Sequence, residues 1–275
     1  MSLYQHIPYY INPVAFSLGA MEVRWYGVMY LVAFLIVYIL VSYRLKTEAF
    51  EFKKTHIEDF FTWAILGVLV GGRLGYVLFY NLPYFLKHPL EIFMPVSFDG
   101  GFHYVGIYGM SYHGGLIGAA LVLAWFCRKH KYSFLRFADL FVAPGPIGYM
   151  FGRIGNFING ELYGRPTGSV VGMFFPNDQM HLLRHPSQLY EAFGEGLLLF
   201  CILWSVRKNP KLKERMFFLY LMLYGSVRFI IEFFRQPDEQ LGTVLWGMSM
   251  GQVLCLIMVG AGGFFLIKKN KRRKI

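Results

Sequence analysis

Long apolar segments alternate with short polar segments along the whole chain. Seven of them approach the roughly 20 residues that an α-helix needs to cross the ~30 Å hydrocarbon core of a bilayer. They lie at about 22–43, 57–80, 106–127, 137–152, 189–206, 216–235 and 246–267. The pattern predicts an all-α membrane protein. We expect a polytopic bundle of about seven transmembrane helices that forms one integral membrane domain over residues 1–275.

The composition agrees with this prediction and excludes an ordinary soluble domain. Hydrophobic residues make up 56% of the chain and charged residues only 16%, and the mean hydropathy is +0.42. About a quarter of the residues of a typical soluble domain are charged. The N-terminal segment lacks the basic stretch and short apolar core of a cleavable signal peptide. We therefore expect the first spanning helix to direct its own insertion.

Lysine and arginine cluster in alternate polar segments. The segments 44–56, 128–136, 207–215 and 268–275 together hold 19 of the 27 Lys and Arg residues. Cytoplasmic loops of membrane proteins are enriched in these residues, so the distribution predicts a periplasmic N-terminus and a cytoplasmic C-terminus. The net charge of +11 then reflects topology, and we expect no nucleic-acid partner.

The basic residues that topology does not require are mostly arginines near the outer side. A charge inside a span costs at least ~2.5–3.5 kcal/mol, and arginine binds phosphate or carboxylate through two parallel hydrogen bonds. Several such residues on one side therefore indicate an anion site, although anchoring at the interface is the alternative for some of them. The eight residues are Arg24, Arg73, Lys87, Arg153, Arg165, Arg184, Arg228 and Arg235.

Two outer segments are longer than simple connections, at 81–105 and 153–188. Both are rich in glycine, proline and aromatic residues, and loops of this length in a compact bundle are usually functional or disordered. Their apolar content argues against disorder. We expect partly embedded periplasmic structure in both.

The segment 152–165, GRIGNFINGELYGR, places polar residues directly after an apolar run. Arg153 is a donor, Asn156 both donates and accepts, and Glu161 accepts. Irregular polar backbone at membrane depth is tolerated only where it is buried in protein or lines a wet cavity. The segment therefore predicts a cavity open to the outer leaflet, with a simple helix C-cap as the alternative.

The sixth apolar segment carries Tyr224, Arg228, Glu232 and Arg235 at a spacing that places them on one helix face. An ionisable stripe inside a span faces the bundle interior and marks a functional pathway by default. The alternative is a buried ion pair that only fixes packing.

His113 precedes a run of small residues at 114, 115 and 118–120 that predicts close packing between helices. Histidine exchanges protons near neutral pH, so His113 is a candidate base, and a hydrogen-bonded core histidine is the alternative. The chain has no Walker loop, HExxH, GxSxG or metal-ligand spacing. We expect no cofactor and no metal site.

Five motifs then resemble one known family, in the same order along the chain. They are RWYG at 24–27, SYHGGLIG at 111–118, GRIGNFINGELYGRPT at 152–167, HPSQLYEA at 185–192 and RFIIEFFRQPD at 228–238. The chain resembles the phosphatidylglycerol–prolipoprotein diacylglyceryl transferases, which are seven-helix inner-membrane enzymes with a periplasmic active site. The resemblance implies transfer of the diacylglyceryl group of phosphatidylglycerol to the lipobox cysteine of a prolipoprotein signal peptide, with release of glycerol 1-phosphate.

The resemblance also implies roles for individual residues. The catalytic set would be Arg153, His113, Arg228, Glu232 and Tyr224. The phosphatidylglycerol-binding set would be Arg153, Asn156, Glu161, Gly164, Tyr26 and Arg228. The identity of the general base for the substrate thiol stays open, with His113 as one candidate. The competing hypotheses are a small-anion transporter and a non-catalytic lipid-binding protein, and the almost purely apolar inner halves of the spans favour a one-sided enzyme.

Overall fold

The computed structural model of the chain describes residues 3–19, 21–94, 96–97, 103–104, 109–236, 243–245 and 247–268. Helices dominate, as the apolar pattern predicts. The α-helices are α1 Ile7–Tyr10, α2 Trp25–Thr47, α3 Lys54–Tyr80, α4 Leu82–Lys87, α5 Tyr112–His130, α6 Phe134–Val142, α7 Gly145–Ile158, α8 Ser187–Glu191, α9 Leu199–Val206, α10 Met216–Ile231 and α11 Met250–Ile267. A π-helical stretch, Ala192–Leu198, joins α8 to α9.

The strands are short and form three antiparallel pairs. They are β1 Val14–Leu18 with β2 Met21–Arg24, β3 Val96–Ser97 with β4 His103–Tyr104, and β5 Thr243–Leu245 with β6 Met248–Ser249. Short 3₁₀ turns occur at Leu3–His6, Pro89–Ile92 and Pro210–Leu212.

Four helical segments are long and apolar enough to cross a membrane: Trp25–Thr47, Lys54–Tyr80, Ser187–Val206 and Met250–Ile267. The shorter Met216–Ile231 is also apolar. These segments agree with an all-α membrane protein. Parts of the predicted loop 81–105, the start of the predicted span 106–127 and most of the basic tail 268–275 lie outside the described residues.

The predicted span at 137–152 is not one continuous helix, because the structure has a two-residue break between α6 and α7. Proline has no backbone N–H, so Pro144 cannot donate to the carbonyl of Leu140 as a helical residue would. The guanidinium of Arg44 replaces this donor: its Nη1 lies 2.7 Å from Leu140 O and 2.6 Å from Asp139 O. Arg44 is only 1% exposed, and its Nε and Nη2 pair with Glu48.

The chain forms two compact units, residues 1–50 with 138–275 and residues 51–137. In the smaller unit, α3 and α5 pack backbone against backbone. A Cβ atom added to Gly118 would collide with Gly67 O, and one added to Gly114 would collide with Gly71 O. The small residues at 114 and 118 therefore serve the close helix packing that the sequence predicts.

In the larger unit, glycines also allow the helices that carry polar residues to approach closely. A Cβ added to Gly196, in the π-helical stretch, would lie 2.6 Å from the Cβ of Met150 in α7. A Cβ added to Gly225 of α10 would lie 2.8 Å from Cys255 O in α11. The first contact brings the π-helical stretch against α7, and the second brings α10 against α11.

Candidate functional site

Three arginines from different parts of the larger unit converge on one buried glutamate. Glu191 ends α8 and is fully buried. Its Oε2 lies 3.0 Å from Arg153 Nε of α7 and 3.0 Å from Arg228 Nη1 of α10. Its Oε1 lies 3.6 Å from Arg235 Nε, just beyond the end of α10. We call Arg153, Arg228 and Arg235 the arginine cluster.

Two further carboxylates complete the ionic network. Glu195 Oε1 lies 3.2 Å from Arg228 Nη1, and Glu232 Oε2 lies 3.2 Å from Arg228 Nη2. Glu232 Oε2 is also 3.8 Å from Arg235 Nη1, and its Oε1 accepts a hydrogen bond of 3.2 Å from the hydroxyl of Ser249. The three glutamates balance the formal charge of the arginine cluster, as buried charges require.

The exposure of the two kinds of charged group differs. The side chains of Arg153, Arg228 and Arg235 are 14%, 13% and 19% exposed, whereas Glu191 and Glu195 are completely buried. The guanidinium groups are therefore accessible in part, whereas the two glutamates are not.

A chain of hydrogen bonds links Arg153 to the polar segment after α7. Arg153 Nη1 donates to Asn156 Oδ1 at 3.2 Å, and Asn156 Nδ2 donates to Glu161 Oε1 at 2.8 Å. Arg153 Nε also donates to Tyr149 Oη at 2.8 Å, and the Tyr149 hydroxyl donates to Glu191 at 3.0 Å.

Two tyrosines from the sequence-predicted set lie beside this network. Tyr26 packs against Gly155 of α7, where an added Cβ would lie 3.1 Å from the Tyr26 ring, and its hydroxyl is 3.0 Å from that of Tyr30. The ring of Tyr224 meets that of Tyr149 edge to face, with centroids 6.4 Å apart.

Gly164 holds three chain segments together through its backbone. Its N–H donates to His185 O at 2.8 Å, and the N–H of Arg165 donates to Phe234 O at 2.9 Å. A Cβ added to Gly164 would collide with Phe234 O, so only glycine fits. Because Arg235 follows Phe234, this close approach also fixes one member of the arginine cluster.

Other arginines that the sequence predicts near the outer side have partners outside the arginine cluster. Arg184 pairs with Asp178 through Nε at 2.8 Å and Nη2 at 2.9 Å, and these bonds lower the pKa of the Asp178 carboxyl. In the smaller unit, Arg73 donates to the carbonyls of Ile92 and Glu91 at 2.6 Å each. Arg24 is exposed. The structure thus brings only some of these arginines together, and an anion site at the arginine cluster stays a prediction.

Comparison with known proteins decides the family. The family model for prolipoprotein diacylglyceryl transferase matches residues 13–268. The chain belongs to the prolipoprotein diacylglyceryl transferase family. The resemblance drawn from the five motifs is therefore confirmed.

Curated relatives bear the name phosphatidylglycerol–prolipoprotein diacylglyceryl transferase. The protein of Chlorobaculum tepidum is 53% identical over 98% of this chain and 93% of its own length. The protein of Bordetella avium is 47% identical over 95% of this chain and 96% of its own length. The protein of Campylobacter jejuni is 43% identical over 94% and 93%.

Of the catalytic and phosphatidylglycerol-binding sets, only His113 belongs to the smaller unit. It stands in the first turn of α5, and its side chain is exposed. The other predicted residues of this diacylglyceryl transferase family member, from Tyr26 to Glu232, all belong to the larger unit. The structure brings Arg153, Asn156 and Glu161 into one hydrogen-bonded chain, and Arg228 and Glu232 into the ionic network described above. Their roles in binding and catalysis stay predictions.

Sequence reasoning missed Glu191, Glu195 and Tyr149 as members of the network. The signal for the two glutamates was present, because two carboxylates at i and i+4 in an apolar span must face a polar interior. Tyr149 gave no comparable signal among 19 tyrosines. Among the described residues, no group of three or more His, Cys, Asp or Glu side chains could hold a metal ion.

Proposed function

We propose that this chain transfers the diacylglyceryl group of phosphatidylglycerol to the lipobox cysteine of prolipoproteins. This is the first step of bacterial lipoprotein maturation. Membership of the family and the near full-length identity of 53% to the Chlorobaculum tepidum transferase support the assignment. The observation that carries the site is the arginine cluster, which is partly exposed above buried carboxylates.

The reaction forms one bond and breaks one bond at the same carbon. The cysteine sulfur attacks the diacylglyceryl carbon that bears the phosphate oxygen, and the carbon–oxygen bond breaks as the thioether forms. Glycerol 1-phosphate leaves with the electron pair, and the thiol proton passes to a base. A free thiol has a pKa near ~8.5, so a base assists at neutral pH. His113 is our candidate for it.

The larger requirement is to stabilise the departing phosphate. Arg153 and Arg228 supply preorganised positive charge in a water-poor site, and removing one such donor typically costs ~10²–10³ in rate. Asn156, Glu161, Tyr26 and Tyr224 are proposed to orient the head group.

The proposed setting follows from the charge distribution of the sequence. The protein is a multi-pass inner-membrane enzyme with about seven spans, a periplasmic N-terminus and a cytoplasmic C-terminus. The arginine cluster then faces the periplasm or the outer leaflet, where lipoprotein precursors present their lipobox.

The deciding experiment incubates the purified protein in phosphatidylglycerol vesicles with a lipobox peptide. We expect a peptide mass increased by one diacylglyceryl group, together with release of glycerol 1-phosphate. A lipobox peptide with cysteine replaced by serine is the control. If the peptide stays unmodified while the lipid binds, the protein is a lipid-binding scaffold. If the vesicles instead take up small anions, it is a transporter.

A further inference from the structure

Glu191 is the carboxylate that contacts every member of the arginine cluster among the described residues. Its distances to Arg153, Arg228 and Arg235 are 3.0, 3.0 and 3.6 Å. Glu195 contacts only Arg228 of the cluster, and Glu232 contacts Arg228 and Arg235. One side chain of α8 therefore connects α7, α10 and the segment after α10.

The burial of Glu191 excludes direct contact with a head group that approaches from the exposed side of the arginines. Its side chain has no exposed surface, and two anions close together would repel each other. Its effect on a bound phosphate must pass through the guanidinium groups.

The contacts of Glu191 fix the orientation of the guanidinium groups. Its Oε2 accepts the Tyr149 hydroxyl at 3.0 Å and pairs with Arg153 Nε and Arg228 Nη1. Each guanidinium is planar, so fixing one N–H edge fixes the direction of the others. Arg153 Nη2 has no hydrogen-bond partner within the described part of the chain, which leaves it available to a phosphate oxygen.

We propose that Glu191 is a positioning residue for diacylglyceryl transfer. It holds Arg153 and Arg228 at a fixed separation and angle, so that their remaining N–H groups bind one phosphate together. This inference rests on the proposed function. It assigns no contact between Glu191 and the substrate.

Substitutions that keep the charge and shorten the side chain test whether the position of the carboxylate matters. Glu191→Asp keeps the charge but shortens the side chain by one methylene, about 1.5 Å. A shift of about 1 Å can cost ~10²-fold in rate, so we expect kcat to fall about 10- to 100-fold, while the thermal unfolding temperature stays near that of the wild type. Glu195→Asp is the matched control, and we expect a smaller loss of kcat because Glu195 contacts one arginine of the cluster.

A second pair of variants tests whether Glu191 only balances charge. Glu191→Gln leaves an unpaired buried positive charge, which is strongly destabilising. The double variant Glu191→Gln with Arg235→Gln removes one charge of each sign. We expect it to regain much of the unfolding temperature but not the kcat, because a neutral amide oxygen holds the guanidinium groups of Arg153 and Arg228 more weakly than a carboxylate does.

The outcomes are distinguishable from failure of the proposed function. If the wild type produces no thioether in the vesicle assay, the proposed function is wrong. If the wild type is active, wild-type kcat in Glu191→Asp, or recovery of kcat together with stability in the double variant, overturns the positioning role. Should Glu191→Gln not insert stably, Glu191→Asp and the double variant decide.

Discussion

At the scale of single residues, the guanidinium of Arg153 has two nitrogens, Nε and Nη1, that are paired within the protein, and a third, Nη2, that is available to a ligand. Its Nε pairs with Tyr149 and Glu191, and its Nη1 donates to Asn156. Its guanidinium also lies over the Tyr149 ring, 4.8 Å from the centroid. These contacts restrict the side chain to one geometry before any ligand binds, which reduces the entropy lost on binding.

Replacing Arg153 with lysine tests whether this geometry matters beyond charge. Lysine is a point charge and cannot hold Glu191 and Asn156 while it binds a phosphate. We expect Arg153→Lys to lower the transfer rate by ~10²–10³, measured as thioether product per enzyme in the vesicle assay. Arg128→Lys, at an exposed position of α5, is the control. A rate within about twofold of the wild type in Arg153→Lys would contradict the phosphate role.

The base hypothesis for His113 makes a separate prediction about pH. If imidazole accepts the thiol proton, the wild-type rate falls on the acidic side as the imidazole becomes protonated. We expect His113→Gln to be slower and its acidic limb to move to higher pH, toward the pKa of the free thiol near ~8.5, in a series of initial rates between about pH 5 and 9. An unchanged rate with an unchanged profile would assign the base to another group.

At the scale of secondary-structure elements, the contact between α3 and α5 depends on glycine at particular positions. A Cβ on Gly118 has no room beside Gly67, whereas a Cβ on Gly115 meets only Val68 at 3.4 Å or more. The two glycines lie in the same helix but differ in what an added methyl group contacts.

This difference gives a matched pair of variants. We expect Gly118→Ala to destabilise the protein by about 1–3 kcal/mol through overpacking, and Gly115→Ala to change stability little. Thermal unfolding in detergent micelles measures both. A Gly118→Ala variant that unfolds at the wild-type temperature would show that α3 and α5 accommodate the added methyl group without cost.

The helices could be predicted from the sequence more completely than the contacts between them. Apolar length was sufficient for α2, α3 and α11, because a span must satisfy its own backbone in lipid. The break between α6 and α7 could have been read from Pro144 and Pro146.

The convergence on Glu191 could not be predicted from local pattern. It depends on how α7, α8 and α10 pack, and helix periodicity describes only the face of a single helix. Tyr224, Arg228 and Glu232 were identified from that face alone. The partner that Arg228 shares with Arg153 lies on another element, and its identity required the tertiary structure.

At the scale of the whole molecule, the charge distribution predicts orientation. We expect a reporter enzyme that is active only in the periplasm to be inactive when fused after residue 275. The same reporter inserted at 168–170, in the segment between α7 and α8 that the sequence predicts to be periplasmic, should be active. The opposite pattern would invert the topology and place the arginine cluster toward the cytoplasm.

Acid stability offers a second test at this scale. The hydrogen bonds from Arg184 hold the pKa of Asp178 below its usual value. A carboxyl whose pKa is lower in the folded protein than in the unfolded chain stabilises the fold above the unfolded value, about 3.9. This contribution is lost as the pH falls through the folded pKa.

The Asp178–Arg184 pair is therefore expected to stabilise the fold at neutral pH and to lose this effect in acid. The wild-type unfolding temperature should drop below about pH 4, and Asp178→Asn should lower it at neutral pH and reduce the further drop in acid. Glu22→Gln removes a carboxylate from an exposed pair and serves as the control. If the unfolding temperatures of the wild type and Asp178→Asn fall equally in acid, the Asp178–Arg184 pair is not the cause of the loss of stability.

The π-helical stretch Ala192–Leu198 separates α8, which carries Glu191, from the apolar helix α9 within the segment Ser187–Val206. A π turn holds more residues than an α turn, so it shifts the angular phase between the polar end at Glu191 and the apolar end at Leu199–Leu203. The π-helical stretch therefore lets Glu191 face the arginine cluster while Leu199 and Leu203 are buried in the core. Deleting one residue of the stretch is expected to turn one of these two faces away from its partners.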